Sequence, residues 1–136
     1  MLGYIQMKVK ARDHQEIHCH WQHLEAIQRC DLVYFENYTS RLQCSVQDLE
    51  KRYGKKIIVA NRETAEQGAG KIIEEARTKN VAFLVIGDPF SATTHVELFR
   101  SAKQQKVPVK VINNASVLTA IGMVGLELYK FGRTIS

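Results

Sequence analysis

The chain has 136 residues, 45% hydrophobic and 24% charged, which suits one globular domain, and its three cysteines form no CxxC pair, which favours a reducing, cytoplasmic compartment. The longest apolar run is far below the ~20 residues of a membrane helix and there is no signal-peptide core, so the sequence predicts neither membrane insertion nor secretion. The net charge of +5 comes from scattered lysines and arginines, which indicates ordinary solubility, or a mildly basic surface for an acidic protein partner, rather than direct nucleic-acid binding.

The first part of the chain changes from the period of a strand to the period of a helix. Residues 3–9 have apolar side chains at every second position, which predicts a half-buried strand at an edge of a sheet. From Gln15 the apolar residues recur at intervals of three and four, and Asp13 is placed to cap the helix that this spacing predicts. The short apolar run Leu32–Phe35 then predicts a second strand.

Capping-box spacings predict the next two helices. Ser45 and Asp48 begin a short helix, and Gly54 ends it in the position where glycine is favoured. Thr64 and Gln67 begin another helix, whose apolar side chains share one face.

Three further apolar runs have the length of strands, and they are Ile57–Ala60, Val81–Ile86 and Val107–Ile112. The second of these lacks alternation, which is typical of a strand covered on both faces. Gly87 and Pro89 follow it and predict a tight loop, after which Thr94 and Glu97 have the spacing of a helix cap.

After the fifth strand, Asn113 and Asn114 predict a turn, Ala115–Gly122 a short helix, and Leu126–Ile135 an extended or mixed segment. Strands and helices therefore alternate along almost the whole chain. This order favours an α/β fold, a three-layer sandwich with a mostly parallel five-stranded sheet and right-handed crossovers. We expect residues 1–136 to form one domain.

Five potential metal ligands lie close together near the N-terminus, and they are His14, His18, Cys19, His20 and His23. His14 and His18 are four residues apart and could share a metal ion on a helix. However, the sequence has no HExxH motif and no carboxylate at ligand spacing, and Cys19 falls on another helical face. A solvated polar helix is therefore favoured over a metal site.

Polar residues follow two of the predicted strands, in the turns 87–91 and 113–116. In a mostly parallel sheet both turns lie at the carboxyl edge, where small ligands bind, and their carboxylate, hydroxyls and amides suit a polar metabolite. Asp88 either faces such a ligand or stabilises its own turn, and the residues alone leave both readings open. Thr94 and His95 fit the cap and first turn of a helix. No phosphate-binding loop and no catalytic triad can be assembled, so an enzyme of this sequence would need little proton transfer.

Four segments of the chain resemble a known family. They read DLVYFENYTS (31–40), KKIIVANRE (55–63), NVAFLVIGDPFSATTH (80–95) and VPVKVINNASVLTAIGMVGLELYKFGRTIS (107–136). These long, ungapped segments are similar to the amino-terminal half of the diphthine synthases. That family consists of S-adenosylmethionine-dependent methyltransferases of the tetrapyrrole-methylase-like class.

The resemblance implies a cofactor site and a reaction. Asp88 and Ser91 would contact the methionine part of S-adenosyl-L-methionine, Ser116 and Val117 would contact the cofactor as well, and neither a catalytic side chain nor a metal is implied. The reaction would be methyl transfer from a sulfonium to an amine on the modified histidine of translation elongation factor 2. Such a displacement depends on positioning. The partners implied are this factor and, in a homodimer, a second copy of the chain.

The sequence also departs from the family in three places. Residues 6–23 contain no glycine where the family has a glycine-rich loop beside the cofactor, Ser91 stands where glycine is usual, and the family's second domain is absent after Ser136. Two hypotheses follow. The chain is the first domain of a diphthine-synthase-like methyltransferase, or it is a non-catalytic fragment or isoform that acts as a binding or dimerisation module. Methylation of a tetrapyrrole is a third reading, which the SATTH and NNASV segments disfavour.

Overall fold

A computed structural model describes residues 2–7, 21–38, 44–66, 68–91 and 95–130. Five strands form one sheet, and they are β1 (Leu2–Met7), β2 (Leu32–Glu36), β3 (Ile57–Ala60), β4 (Val81–Ile86) and β5 (Val109–Ile112). The α-helices are α1 (Trp21–Gln28), α2 (Val46–Tyr53), α3 (Arg62–Glu66), α4 (Ala69–Glu75), α5 (Val96–Gln104) and α6 (Val117–Ala120). Two 3-10 helices follow α6, at Ile121–Val124 and Leu128–Lys130. Among the helices of these residues, none has the length and apolar content needed to cross a membrane.

The strand order across the sheet is β3-β2-β4-β1-β5. β2 pairs in parallel with β3 and with β4, whereas β1 pairs antiparallel with both β4 and β5. Four strands therefore point in one direction and only β1 points in the other. This confirms the five-stranded, mostly parallel α/β sheet expected from the alternation of elements.

The prediction that the first strand lies at an edge was wrong. β1 occupies an internal position between β4 and β5, with Tyr4 opposite both Leu84 and Ile112. The crossover through α5 passes over one strand position, and β1 fills the slot that this connection leaves open. Alternation of apolar residues reports how a strand is covered, and it contains no information on which strands flank it.

Helices cover both faces of the sheet, which confirms the three-layer sandwich. On one face α4 and α5 pack against β2 and β4 through a cluster that includes Tyr34, Ile73, Phe83 and Leu98. On the other face α1 and α2 pack against the alternate residues of the same strands. As expected for a strand covered on both sides, Val81–Val85 are completely buried.

The helix caps agree with the sequence in one place and differ in another. Ser45 caps α2 in a full capping box with Asp48, and Gly54 ends the helix with a φ of 64°, as predicted. The cap predicted at Thr64 was wrong, because α3 already begins at Arg62 and the Thr64 amide donates to the side chain of Asn61 at 2.8 Å. Asn61 is itself a favoured capping residue, and it lies three residues before Thr64.

The last part of the chain also differs from the prediction. β5 begins at Val109, after Pro108 rather than before it, because proline has no amide hydrogen to donate to a ladder. A short helix is present at Val117–Ala120 as expected, and Leu128–Lys130 form a 3-10 turn within the segment predicted to be extended or mixed. The predicted caps at Asp13 and Thr94 and the cluster at residues 14–20 lie outside the described residues, as do residues 131–136.

Candidate cofactor site

The two turns predicted to bind a ligand lie at the same edge of the sheet. β2, β3, β4 and β5 all end there, so the turn 87–91 after β4 and the turn 113–116 after β5 are neighbours. Gly87 has a φ of 82°, a left-handed conformation that favours glycine. A Cβ atom at this position would stand 3.8 Å from the carbonyl oxygen of Ala115, so the backbones of the two turns lie side by side.

The carboxylate of Asp88 joins these turns. Its Oδ1 atom accepts hydrogen bonds from the Phe90 amide at 2.9 Å and from the Ser91 hydroxyl at 3.1 Å. Its Oδ2 atom accepts a hydrogen bond from the Asn114 amide at 3.1 Å. We call this group, formed by Asp88, Phe90, Ser91 and Asn114, the Asp88 clamp. It fixes the end of β4 against the end of β5.

The second turn is stabilised by its own side chains. The Asn114 side-chain oxygen accepts from the Ala115 amide at 2.7 Å, and the Ser116 hydroxyl accepts from the Leu118 amide at 3.1 Å at the start of α6. The Asn114 Nδ2 atom is buried and has no hydrogen-bond partner among the described residues. This leaves one buried donor beside the clamp.

The structure therefore brings together the residues that the sequence singled out. Asp88 and Ser91 are hydrogen-bonded to each other, Ser116 follows Asn114 by two residues, and Val117 is the first residue of α6. The two readings of Asp88 are not exclusive. The hydrogen bonds establish that it stabilises the turns, and contact with a ligand remains a prediction for Asp88, Ser91, Ser116 and Val117.

Sequence reasoning missed a second polar group at this edge, formed by Glu36 and His95. Glu36 is the last residue of β2 and is fully buried, and His95 immediately precedes α5 and is 3% exposed. The Glu36 Oε2 atom lies 3.9 Å from His95 Nε2, and Glu36 Oε1 accepts from the Tyr38 amide at 2.8 Å. We call this group the Glu36–His95 pair.

The imidazole of this pair lies in an apolar setting. Its ring centroid is 5.5 Å from that of Phe83 and 6.4 Å from that of Tyr38, and neither ring nitrogen has a hydrogen-bond partner in the described part of the chain. Burial lowers the pKa of His95 below its ordinary value, and the neighbouring Glu36 carboxylate partly opposes that effect. The imidazole is therefore held mainly in its neutral form at neutral pH.

The sequence pattern around each residue of this pair is ambiguous, because each residue also fits an ordinary local role. Glu36 ends an apolar run and so resembles the polar boundary of a strand, although it shares the side of β2 on which Tyr34 is buried. His95 follows two threonines ahead of a helix and so resembles part of a cap. Only the packing of α5 on the sheet brings the two side chains together.

The first strand contributes differently to this edge from the others. Leu2 pairs with Ile86 at the carboxyl edge, whereas Met7 pairs with Val81 at the opposite edge. The carboxyl end of β1 therefore lies at the edge opposite Asp88. Among the described residues, no group of three or more metal-ligating side chains is clustered.

A family model matches most of the chain. It describes the tetrapyrrole (corrin/porphyrin) methylases and covers residues 22–136, which include the Asp88 clamp and the Glu36–His95 pair. This chain belongs to the tetrapyrrole methylase family. β1 precedes the matched residues, so the one strand that runs against the others lies outside the region shared with the tetrapyrrole methylases.

Individual relatives show which members of this family the chain is similar to. The chain is 54% identical over 114 residues to a diphthine methyl ester synthase of Candida glabrata and 50% identical over 113 residues to one of Homo sapiens. In each case 83% of the chain is covered, but only 38% and 40% of the relative. A crystal structure of diphthine synthase superposes with a TM-score of 0.74 at 40% identity, covering 80% of this chain and 44% of that one. The chain thus spans about two fifths of the length of the relatives it matches.

Proposed function

We propose that this chain is the amino-terminal, cofactor-binding domain of an S-adenosylmethionine-dependent methyltransferase of diphthamide biosynthesis. The observation that carries the proposal is the Asp88 clamp, which joins two turns at the carboxyl edge of the sheet within the region matched by the family. In open α/β sheets this edge is where small ligands bind. Identities of about 50% to diphthine methyl ester synthases support the choice of reaction.

The clamp suits the ligand chemically. The Asp88 carboxylate accepts three hydrogen bonds, whereas a carboxylate has about four acceptor sites, so it can accept one more from a ligand ammonium or hydroxyl. Asp88 and Ser91 are half-buried rather than enclosed, and the buried Asn114 Nδ2 atom is a donor available to an acceptor. Asp88, Ser91, Ser116 and Val117 would hold the methionine part and its surroundings.

When bound, S-adenosylmethionine supplies an electrophilic methyl group on a sulfonium sulfur. The residues of this chain bind and orient, and no proton transfer is assigned to Asp88, which is already committed to three donors. The proposed substrate is the modified histidine of translation elongation factor 2, and the proposed setting is a cytoplasmic homodimer. These finer assignments rest on the resemblance and on the relatives' names.

The first test is a calorimetric titration of the chain with S-adenosylhomocysteine. We expect micromolar binding that is lost in Asp88→Ala and weakened in Ser116→Ala. Asp31→Ala is the matched control, because the Asp31 carboxylate accepts a backbone amide, from Asn80 at 2.8 Å, but Asp31 lies just before β2 at the opposite edge. Circular dichroism verifies that each variant is folded. Absence of binding by the wild type at millimolar ligand would refute cofactor binding by this chain.

Methyl transfer itself is tested separately by mass spectrometry of the elongation factor precursor after incubation with the chain and S-adenosylmethionine. A mass increase in units of one methyl group, absent in Asp88→Ala, is expected. An unmodified precursor alongside intact cofactor binding would restrict the proposal to binding alone.

The second candidate function is a non-catalytic binding or dimerisation module. Two observations favour it. β1 ends at the edge opposite the clamp, and the segment after α6 exposes apolar side chains, with Met123 91%, Val124 72% and Tyr129 80% exposed. Exposed apolar groups of this kind often mark an interface. Sedimentation of the wild type and of Met123→Ser with Val124→Ser tests it, since dimerisation through this surface would be lost in the double variant.

A further inference from the structure

The Glu36–His95 pair connects two strand-end segments that are distant in sequence. Glu36 ends β2 and holds the Tyr38 amide at 2.8 Å through Oε1, so it fixes the start of the connection that follows β2. His95 ends the segment that follows β4 and accepts the Phe99 amide at 3.2 Å through its carbonyl, at the start of α5. The described residues on either side of positions 92–94 therefore each lie beside a polar group, residues 88–91 at the Asp88 clamp and His95 at Glu36.

The requirements of folding do not account for this pair. Both side chains are almost fully buried, at 0% and 2% side-chain exposure, and the His95 ring nitrogens have no hydrogen-bond partner among the described residues. A buried polar group left without a partner destabilises a fold. Apolar side chains of similar volume usually serve as well or better at such positions. The polar groups therefore point to a role other than stability.

The separation of the two side chains also matters. At 3.9 Å, Glu36 Oε2 and His95 Nε2 are too far apart for a hydrogen bond, which requires about 2.7–3.2 Å. A shift of about 1 Å of His95 towards β2 would form one, and in a low-dielectric site a charge-assisted bond is strong. His95 follows Ser91 by four residues in the sequence, so we expect such a shift to reach Ser91 and Asp88.

Few groups besides Glu36 act on the imidazole. From β4 the neighbour is the Phe83 ring, from the connection after β2 it is the Tyr38 phenol, and among the described residues Glu36 is the charged group that affects the pKa of His95. Within the described part of the chain, burial and the Glu36 carboxylate therefore set the protonation state of His95.

We infer that His95 is a positioning residue, which by pairing with Glu36 holds the segment carrying Asp88 and Ser91 in the geometry that binds the cofactor. The inference rests on the proposed function only for the identity of the ligand. The coupling between the pair and the clamp is a property of the chain itself.

The first arm of the test uses the chain without ligand. The protein is titrated by NMR, following the His95 ring protons and the amides of Phe90 and Ser91. We expect both amide signals to move with the midpoint of the His95 ring. In Glu36→Gln that midpoint moves to lower pH, because a carboxylate that stabilises the imidazolium is gone. The control Glu97→Gln removes an exposed carboxylate from α5 and leaves the midpoint in place. A ring whose titration leaves both amides unmoved, or that stays neutral until the chain unfolds, would overturn the inference.

The second arm measures S-adenosylhomocysteine affinity for the same proteins and for His95→Gln. We expect each single variant at the pair to bind about tenfold more weakly, and the double variant to be no weaker than either single one, because the two residues act as one unit. Glu97→Gln binds like the wild type. Equal affinity of all variants would overturn the positioning role while leaving the proposed function intact. Wild-type protein that binds no ligand refutes the proposed function, and the first arm then decides the coupling by itself.

Discussion

Two polar groups at one edge of the sheet are built in opposite ways. In the Asp88 clamp a half-buried carboxylate meets three donors from its own and a neighbouring turn. In the Glu36–His95 pair the side chains are buried deeper, and the ring nitrogens have no hydrogen-bond partner among the described residues. We expect the clamp to stabilise the fold and the unpartnered imidazole of the pair to destabilise it. A polar group whose hydrogen-bond partners are present is explained by its contribution to the structure. A buried polar group without such partners indicates a further role.

The largest difference in unfolding free energy between the two regions is expected when the aromatic side chain beside each of them is removed. Phe83 lies under the His95 ring and is completely buried, so Phe83→Ala should lower the free energy of unfolding by about 3–5 kcal/mol. Phe90 packs edge-on against Phe99 near the clamp and is 41% exposed, so Phe90→Ala should lower it by only about 1 kcal/mol. Urea denaturation measures both. Similar losses would show that the two regions are equally embedded in the core.

The Asp88 carboxylate of the clamp should contribute more to stability than the Asp31 carboxylate at the opposite edge of the sheet. Asp88→Ala leaves two backbone amides and a hydroxyl without their acceptor, and we expect a loss of about 2–3 kcal/mol of unfolding free energy. In the control Asp31→Ala a single backbone amide loses its carboxylate, and the expected loss is about 1 kcal/mol. If both variants lose the same amount, the link between the two turns adds nothing to stability.

A comparison of two serine variants, with smaller expected losses of stability, distinguishes the stabilising role of Ser116 from its predicted ligand contact. Ser116→Ala removes the hydroxyl that accepts the Leu118 amide and should cost about 1 kcal/mol, which is the usual value of a helix cap. Ser45→Ala removes the equivalent hydroxyl from α2 and should cost about the same. Only Ser116→Ala should also weaken binding of S-adenosylhomocysteine in calorimetry. Unchanged affinity would remove Ser116 from the site.

The last prediction concerns a single proton on the pair. The pKa of His95 is lowered in the folded chain, so the unfolded chain binds the proton more readily at pH values between the folded pKa and about 6.5. The contribution of neutral His95 to stability is therefore complete above about pH 6.5. This contribution is lost as the pH falls through the lowered pKa of the folded state. Denaturation of wild type and His95→Gln at pH 8 to 5 should show a steeper loss of stability in the wild type. Parallel curves would indicate that His95 titrates as it does in an unfolded chain.

Local sequence signals predicted the elements well where the partners are close in the chain. The box formed by Ser45 and Asp48 and the terminal Gly54 are contained within ten residues, and the structure reproduces them. Thr64 failed because Asn61, three residues earlier, competes for the same role. The turns after β4 and β5 were found because glycine, proline and asparagine follow apolar runs there.

Features that depend on distant partners were missed. The alternation in residues 3–9 correctly predicted a strand, but its direction and its place between β4 and β5 are set by contacts with residues 81–86 and 109–112. Glu36 and His95 are separated by the whole of β3 and β4, so no spacing rule joins them. Their meeting is a result of tertiary packing, and it could be seen only once α5 was placed on the sheet.

The internal position of β1 has a consequence for how the chain folds. Among the strands that the structure describes, β5 is hydrogen-bonded only to β1, so this side of the sheet forms when the start of the chain pairs with the later strands. Closing such a long loop is entropically costly and slow compared with forming the β2–β3 unit. We therefore expect a folding intermediate with β2, β3 and β4 assembled and a slot one strand wide beside β4. Protection of the β5 amides from hydrogen exchange should appear last during refolding.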